Sequence, residues 1–323
     1  MSCFRGPWPP TKSAYAHELA DFCETEAIRH GTYSGHSLAQ DIGLLGEEDP
    51  DDGIPSSEWD EATLSAVFGE IADRKRRCAA GYPFAVINDG YTICRDTALL
   101  TTPACRLYLY MLIATRFNMT KSRDHAGIDG TLVFEHICSE VARAYLGCGA
   151  RSWLLGTASS GVSFQDKVNS MCRDLGEGDG ADPGAYGNMS AAKDGKVDVV
   201  VWKPFADARP GKLIGMGQCK TGSSYDDAVA HLQPDVFFRK FCRRAPVAGT
   251  PFRMFFITET FGDTPAPSDP DGKKWTDIAA SAGIVFDRCR IMEFSTALNH
   301  KVREQVDAWV TAAAASVGNS RRF

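Results

Sequence analysis

The chain contains no run of about 18 apolar residues, so no helix in it is expected to cross a membrane. The first residues, MSCFRGPWPP, lack an apolar signal core, which sets the expectation of a cytoplasmic protein. Its 11 cysteines include no CxxC pair, are odd in number and fall mostly in apolar helix or strand patterns. Structural zinc and a disulfide framework are therefore disfavoured, and reduced thiols are expected. The seven histidines are scattered without an HExxH, which argues against a histidine-zinc hydrolase. GTASSG, from Gly156 to Gly161, is no nucleophile elbow, because neither serine has glycines two residues away on both sides. GEGDG follows a helical pattern rather than a strand, the wrong order for a dinucleotide loop. Basic excess is also missing. A net charge of -6 excludes a protein that coats nucleic acid by charge alone. It does not exclude one whose field comes from a bound divalent cation and a local basic patch.

The 323 residues, 44% hydrophobic and 24% charged, suit a globular protein of one or two domains. Residues 1–123 read as an α-rich region for recognition or assembly. Tyr15, Leu19, Phe22 and Cys23 recur at helical spacing, as do Trp59, Leu64, Val67 and Ile71. Between them Gly46 to Ser57 is acidic and turn-forming; the register of a calcium loop fails there, and a solvated loop is expected. Arg74-Lys75-Arg76-Arg77 ends the second helix, where cations complement the helix dipole; a phosphate contact is the alternative. Phe84 to Asp96 suits a hairpin turning at Asn88-Asp89-Gly90. Thr97 to Phe117 is a further apolar helix.

Thr120 to Gly130, polar and glycine-containing, sets the expected boundary before a domain at 124–323. Beyond it the pattern gives a helix (131–147), a strand (151–156), a helix (163–175) and strands at 196–202 and 213–220. A helix at 225–243 kinked by Pro234 follows, then a strand at 252–258. A helix near 275–281, a strand near 283–287 and a helix over 299–316 complete the chain. The fold class is thus α/β, a mixed sheet flanked by helices behind an α-rich region.

Two strands carry the chemistry. In KVDVVVW a β-branched run holds Asp198, and Leu213 to Lys220 ends in Gln218-Cys219-Lys220. Alternation puts Gln218 and Lys220 on one face and Cys219 on the other; one hairpin register adds Asp198 to the Gln218 face. A strand-interior carboxylate costs several kcal/mol unless paired or bound to metal. Upstream, TLVFEHICSEVARAYLG forms a helix with an apolar stripe of Phe134, Ile137, Cys138, Val141 and Tyr145. Glu135 borders that stripe, whereas Glu140 sits beside Arg143 in a surface pair.

An Asp, a hairpin-length gap, then Gln-x-Lys, preceded by a Glu on a helix, resembles the PD-(D/E)XK nuclease superfamily, in particular its Mrr-type branch. The resemblance covers Leu132 to about Thr258 and implies a restriction-endonuclease-like sheet. It implies metal-dependent hydrolysis of phosphodiester bonds, DNA being the expected substrate. Glu135, Asp198, Gln218 and Lys220 would be catalytic; Glu135, Asp198, Gln218 and the Cys219 carbonyl would hold Mg²⁺ or Mn²⁺. Hard oxygen ligands suit such cations. Lys220 would orient the water or offset charge. Gln218 brings no negative charge, so metal should bind more weakly than with an acid there. The family context points to restriction or antiphage defence, with a helicase, ATPase or other defence subunit as partner and oligomerisation left open. Arg239, Lys240, Arg243 and Arg244, interleaved with Phe237, Phe238 and Phe241, could follow a nucleic-acid backbone or be the outer face of an amphipathic helix. A non-catalytic scaffold of the same fold, binding nucleic acid or a protein, is the alternative.

Overall fold

The computed structural model describes residues 10, 11, 14–43, 56–156, 162–185, 196–223, 225, 228–261 and 275–319. The acidic segment at 46–55, residues 157–161 and the Arg321-Arg322 tail lie outside these residues.

The chain begins with α1 (Ala16–His30), β1 (Thr32–Ser34), α2 (Gly35–Asp41) and α3 (Ser56–Cys78), then β2 (Phe84–Ile87), β3 (Thr92–Arg95) and α4 (Pro103–Arg116). β2 and β3 pair antiparallel, and Asn88 and Asp89 both take φ of 53° in the turn, as the Asn-Asp-Gly sequence suggests. β1 adds a third strand that the sequence did not indicate, being three residues long between two helices. α4 starts later than expected. Thr102 caps it by accepting from the Cys105 N–H, and Pro103 occupies the first turn, where its missing donor is harmless.

There follow a small hairpin of β4 (Asp124–His125) and β5 (Ile128–Asp129), then α5 (Gly130–Leu146), β6 (Arg151–Leu154), α6 (Phe164–Leu175), β7 (Val199–Lys203) and β8 (Leu213–Lys220). The chain continues through α7 (Pro234–Phe241), β9 (Phe252–Ile257), α8 (Trp275–Ala282), β10 (Ile284–Phe286), α9 (Arg288–Met292) and α10 (His300–Asn319). Five strands form a mixed sheet in the order β10-β9-β8-β7-β6. β7 runs antiparallel to both its neighbours, β6 and β8, whereas β8, β9 and β10 run parallel. The α/β class is as expected. The expected kinked helix over 225–243 is corrected: its helical part begins at Pro234, because proline suits a first turn better than an interior.

Each sheet face has its own core. Val200, Trp202, Ile214 and Met216 pack against Val168 and Met171 of α6 and Phe237, Phe238 and Phe241 of α7. Val199, Val201, Met254 and Phe256 pack against Phe134, Ile137, Cys138 and Val141 of α5. This second core continues through Tyr108 and Leu112 of α4 and Trp309 of α10 to Leu19 and Phe22 of α1. The expected boundary at 123/124 therefore falls within one shared core.

Buried charge crosses the same boundary. Asp21 of α1 pairs with Arg74 at 2.7 Å, Arg116 at 2.7 Å and Arg288 at 2.8 Å. Arg74 also reaches Glu70 at 2.8 Å, Arg116 reaches Glu259 at 3.1 Å, and Arg288 Nε donates to the Thr258 carbonyl at 3.0 Å. Burial acts to raise the Asp21 carboxyl, but Arg288, Arg116 and Arg74 together hold it well below the usual carboxylate range. The phosphate reading of Arg74 is thereby corrected, since Arg74 is wholly buried among carboxylates. Arg76 and Arg77 are likewise paired, with Asp73 and Asp287 respectively.

Candidate active site at the end of the β7–β8 seam

β7 alternates regularly from Val199 onward, with Val199 and Val201 on the α5 face and Val200 and Trp202 on the other. Val197 breaks the alternation, since it joins Val200 and Trp202 in spite of its odd number. The irregularity therefore lies at Asp198. Val199 pairs with Gly217, so a continued ladder would set Asp198 opposite Gln218. Instead the Asp198 N–H donates to the Gly217 carbonyl at 2.9 Å, and Lys196 just before it has φ 65°. The carboxylate replaces the missing strand. Asp198 Oδ2 accepts from the Cys219 N–H at 2.7 Å. Local breaks of this kind re-aim a side chain where pairing ends.

The neighbouring strand fixes this geometry from the other side. The Asp198 carbonyl accepts from Leu155 N–H at 2.9 Å and Gly156 N–H at 3.3 Å. Lys167 of α6, buried, donates to the Gly156 carbonyl at 2.8 Å and the Leu155 carbonyl at 3.3 Å. Against Gly156 lies the carboxyl of Glu135, which is only 7% exposed. A Cβ at residue 156 would stand 2.5 Å from Glu135 Oε2, so only glycine lets the carboxyl approach the strand end. α5 delivers Glu135 there because Asp129 caps its first turn, accepting from the Thr131 N–H at 2.8 Å.

Glu135 and Asp198 thus come to the same end of the sheet. Both carboxylates act on the thiols of Cys138 and Cys219. Burial pushes both thiols up, the hydrogen bond between them shifts them in opposite senses, and Asp198 and Glu135 raise both.

Gln218 and Lys220 are placed differently from expectation. In the parallel register Gln218 pairs with Phe255 and Lys220 with Ile257, whereas Cys219 pairs with Phe256. Phe256 belongs to the α5 side and Phe255 and Ile257 to the opposite core, so Gln218 and Lys220 project away from Glu135. The expected sharing of one face by Asp198, Gln218 and Lys220 is corrected. Asp198 lies in the seam, its carboxylate on the Cys219 N–H, because its ladder position is lost. Gln218 is 2% exposed, and among the described residues its Oε1 has no hydrogen-bond partner. Lys220 is half-buried and, among the described residues, has no carboxylate within ion-pairing distance.

Could these residues hold a hard cation? Among the described residues no group of three or more His, Cys, Asp or Glu side chains forms a metal site. A cage made wholly of side chains is therefore not what the seam provides. Magnesium needs less, since it keeps several waters and uses one or two carboxylates. The N–H and C=O of one strand residue point the same way, so the Cys219 carbonyl opens onto the seam with its N–H. Two carboxylates and that carbonyl are oxygen donors of the right hardness, whereas the Gln218 amide oxygen lies on the other face and is not brought to them.

The basic helix is also resolved into contacts. Arg239 pairs with Asp235 at 2.6 Å and Arg244 with Asp179 at 3.0 Å, while Arg243 donates to the Ala181 carbonyl at 3.2 Å. Lys240 lies 5.1 Å from the Phe241 ring centroid, and Phe237, Phe238 and Phe241 are buried. Three of the four cations are thus engaged within the chain.

The places of Gly156, beside Glu135, and of Lys167, on the Gly156 carbonyl, carry no signal in the sequence. A lysine in an amphipathic helix carries no signal of burial, and Gly156 reads only as the end of a strand. No family model, curated protein or solved structure matches the chain.

Proposed function

We propose that the chain is a metal-dependent nuclease of the PD-(D/E)XK kind, hydrolysing phosphodiester bonds of nucleic acid, DNA foremost. The observation that carries this reading is the break at Asp198. A β-strand gives up its alternation and one ladder position so that a carboxylate faces a seam already bordered by a buried glutamate. No packing need explains that. The order α5, β6, β7, β8, α7, β9, with α6 inserted between β6 and β7, follows the helix, strands, helix, strand order that the resemblance implies for the superfamily core.

In this reading Glu135 and Asp198, with the Cys219 carbonyl, hold Mg²⁺ or Mn²⁺, and Gln218, which projects to the other face, drops out of the ligand set the resemblance implies. When bound, the cation supplies Lewis-acid polarisation of the phosphate and a lower pKa for the attacking water. Asp198 is held for that task by the Cys219 N–H, and Glu135 by Gly156. Lys220 orients the water or offsets charge growing on the phosphate. Lys167 positions the β6 end without touching substrate. A role in restriction or antiphage defence, alongside a helicase or ATPase subunit, follows from the family context alone.

With Mg²⁺ or Mn²⁺ the protein should nick supercoiled plasmid or cut single strands, and a chelator should stop it. A scaffold of the same fold is favoured by one observation, the projection of Gln218 and Lys220 away from Glu135. A Mn²⁺-binding protein that leaves plasmid, single-stranded DNA and RNA intact would support that second reading. Gly156→Ala offers a finer check. The added methyl should displace Glu135 and weaken Mn²⁺ affinity about tenfold, roughly 1.4 kcal/mol, in a protein with unchanged circular dichroism. Unaltered affinity would remove Glu135 from the ligand set.

A further inference from the structure

Two turns along α5 from Glu135, at the other end of β6, lies a groove of about 340 Å³ lined by Arg143, Arg151, Ser152, Trp153, Asp174 and Trp202. β6 is an edge strand of the sheet, and the groove crosses it. Arg151 pairs with Trp202 and Trp153 with Val200 in the antiparallel register, which puts Arg151, Trp153 and Trp202 on one face. Arg143 reaches in from the last turn of α5.

The chemistry of these groups is specific. Arg151 is exposed and makes no ion pair among the described residues, so its guanidinium is available. Arg143 is 45% exposed and, among the described residues, bonds Glu140 alone, at 3.2 Å, a helix i,i+3 pair of small worth. The Trp153 indole is fixed rather than mobile, because its Nε1 donates to Asp174 Oδ2 at 3.0 Å. Asp174 also accepts from Arg173 at 3.3 Å and is 43% exposed at the rim. Guanidinium groups take phosphate bidentately. An indole face takes a base of any sequence. A rim carboxylate accepts from an exocyclic amine, as acids do from cytosine. The groove volume sits at the lower end of the range for ligand sites, roughly 300–1,000 Å³, which suits one nucleotide better than a stretch of peptide.

We infer that this groove binds one nucleotide of a single-stranded nucleic acid, the base against Trp153 and the phosphate on Arg151 and Arg143. Arg143 lies eight residues beyond Glu135, about 12 Å along the helix. A strand held here therefore leads toward the β7–β8 seam; that connection rests on the proposed nuclease reading, whereas the binding itself does not.

The test is a titration of the full chain with a short single-stranded oligodeoxynucleotide in EDTA, read by tryptophan fluorescence. Quenching should accompany binding. Arg151→Ala should weaken affinity about tenfold, the scale of one lost nucleotide contact, and Trp153→Ala should remove most of the quenching. Arg151 is exposed, so its variant will fold even where Trp153→Ala does not. Arg76→Ala, an exposed cation far along the sequence in α3, should leave affinity unchanged. An equal loss from Arg76→Ala, or wild-type affinity in Arg151→Ala, would overturn the assignment. Groove binding without any cleavage would support this site while counting against the nuclease reading; cleavage with unchanged KM in Arg151→Ala would do the reverse.

Discussion

Asp198→Ala should abolish both Mn²⁺ binding and nucleic-acid cleavage, the largest functional effect of any single substitution in this chain. It removes the charged ligand proposed here and also the acceptor of the Cys219 N–H, so the β8 end loses its tether to β7. Lys220→Ala should differ in kind. It spares metal affinity and slows cleavage on the order of a hundredfold or more, the usual scale for a positioned charge or proton-transfer group. Gln218→Glu should leave Mn²⁺ affinity near that of the wild type, since its side chain projects to the other sheet face. Metal affinity and single-turnover rates on the three variants separate these roles. Equal losses of affinity in Asp198→Ala and Lys220→Ala would point to collapse of the strand end instead.

The largest effect on stability should come from Asp21→Ala. Three arginines that are almost entirely buried converge on that carboxylate. Removing it leaves their charges compensated only in part, by Glu24, Glu70 and Glu259, a loss of up to about 3–5 kcal/mol and a large share of the stability of an ordinary domain. Asp21→Asn keeps the shape and should cost less, because the amide oxygen still accepts. The pH dependence has a definite sign. The folded-state carboxyl is held below its unfolded value, so its contribution is present above the unfolded pKa and lost as pH falls through the folded one. Urea unfolding at neutral pH checks the first claim, and a transition midpoint in Asp21→Ala within error of wild type would refute it.

Much of the sheet was legible in the sequence because its strands are marked by composition. KVDVVVW and FRMFFI are β-branched or aromatic runs bounded by turn residues; the first begins three residues before its strand and the second coincides with its own. The stripe on α5 likewise placed Phe134, Ile137, Cys138 and Val141 inward and Glu135 at the border, although its last member, Tyr145, is exposed. What alternation could not reveal was its own interruption. Reading Asp198 by parity gave it the Gln218 face, whereas the bond from its N–H to Gly217 carries it into the seam. Side chain to backbone bonds of this sort compete with the ladder and leave no periodic trace. The shared core was hidden for a different reason. Arg74 and Arg116 sit in cation-bearing helix ends that look solvated, and only long-range partners such as Asp21, 53 residues away from Arg74, reveal their burial. A polar loop at 120–130 consequently read as a boundary, although Trp309 Nε1 donates to the Arg123 carbonyl across it at 2.8 Å.

The central claim is that Glu135 and Asp198 face the seam in order to hold a divalent cation. Calorimetric titration of the wild-type chain and Asp198→Ala with Mn²⁺, side by side at equal folded content, tests it most directly. The account predicts saturable binding by the wild type and none by the variant. Absence of binding in the wild type, or equal binding by both, would contradict it.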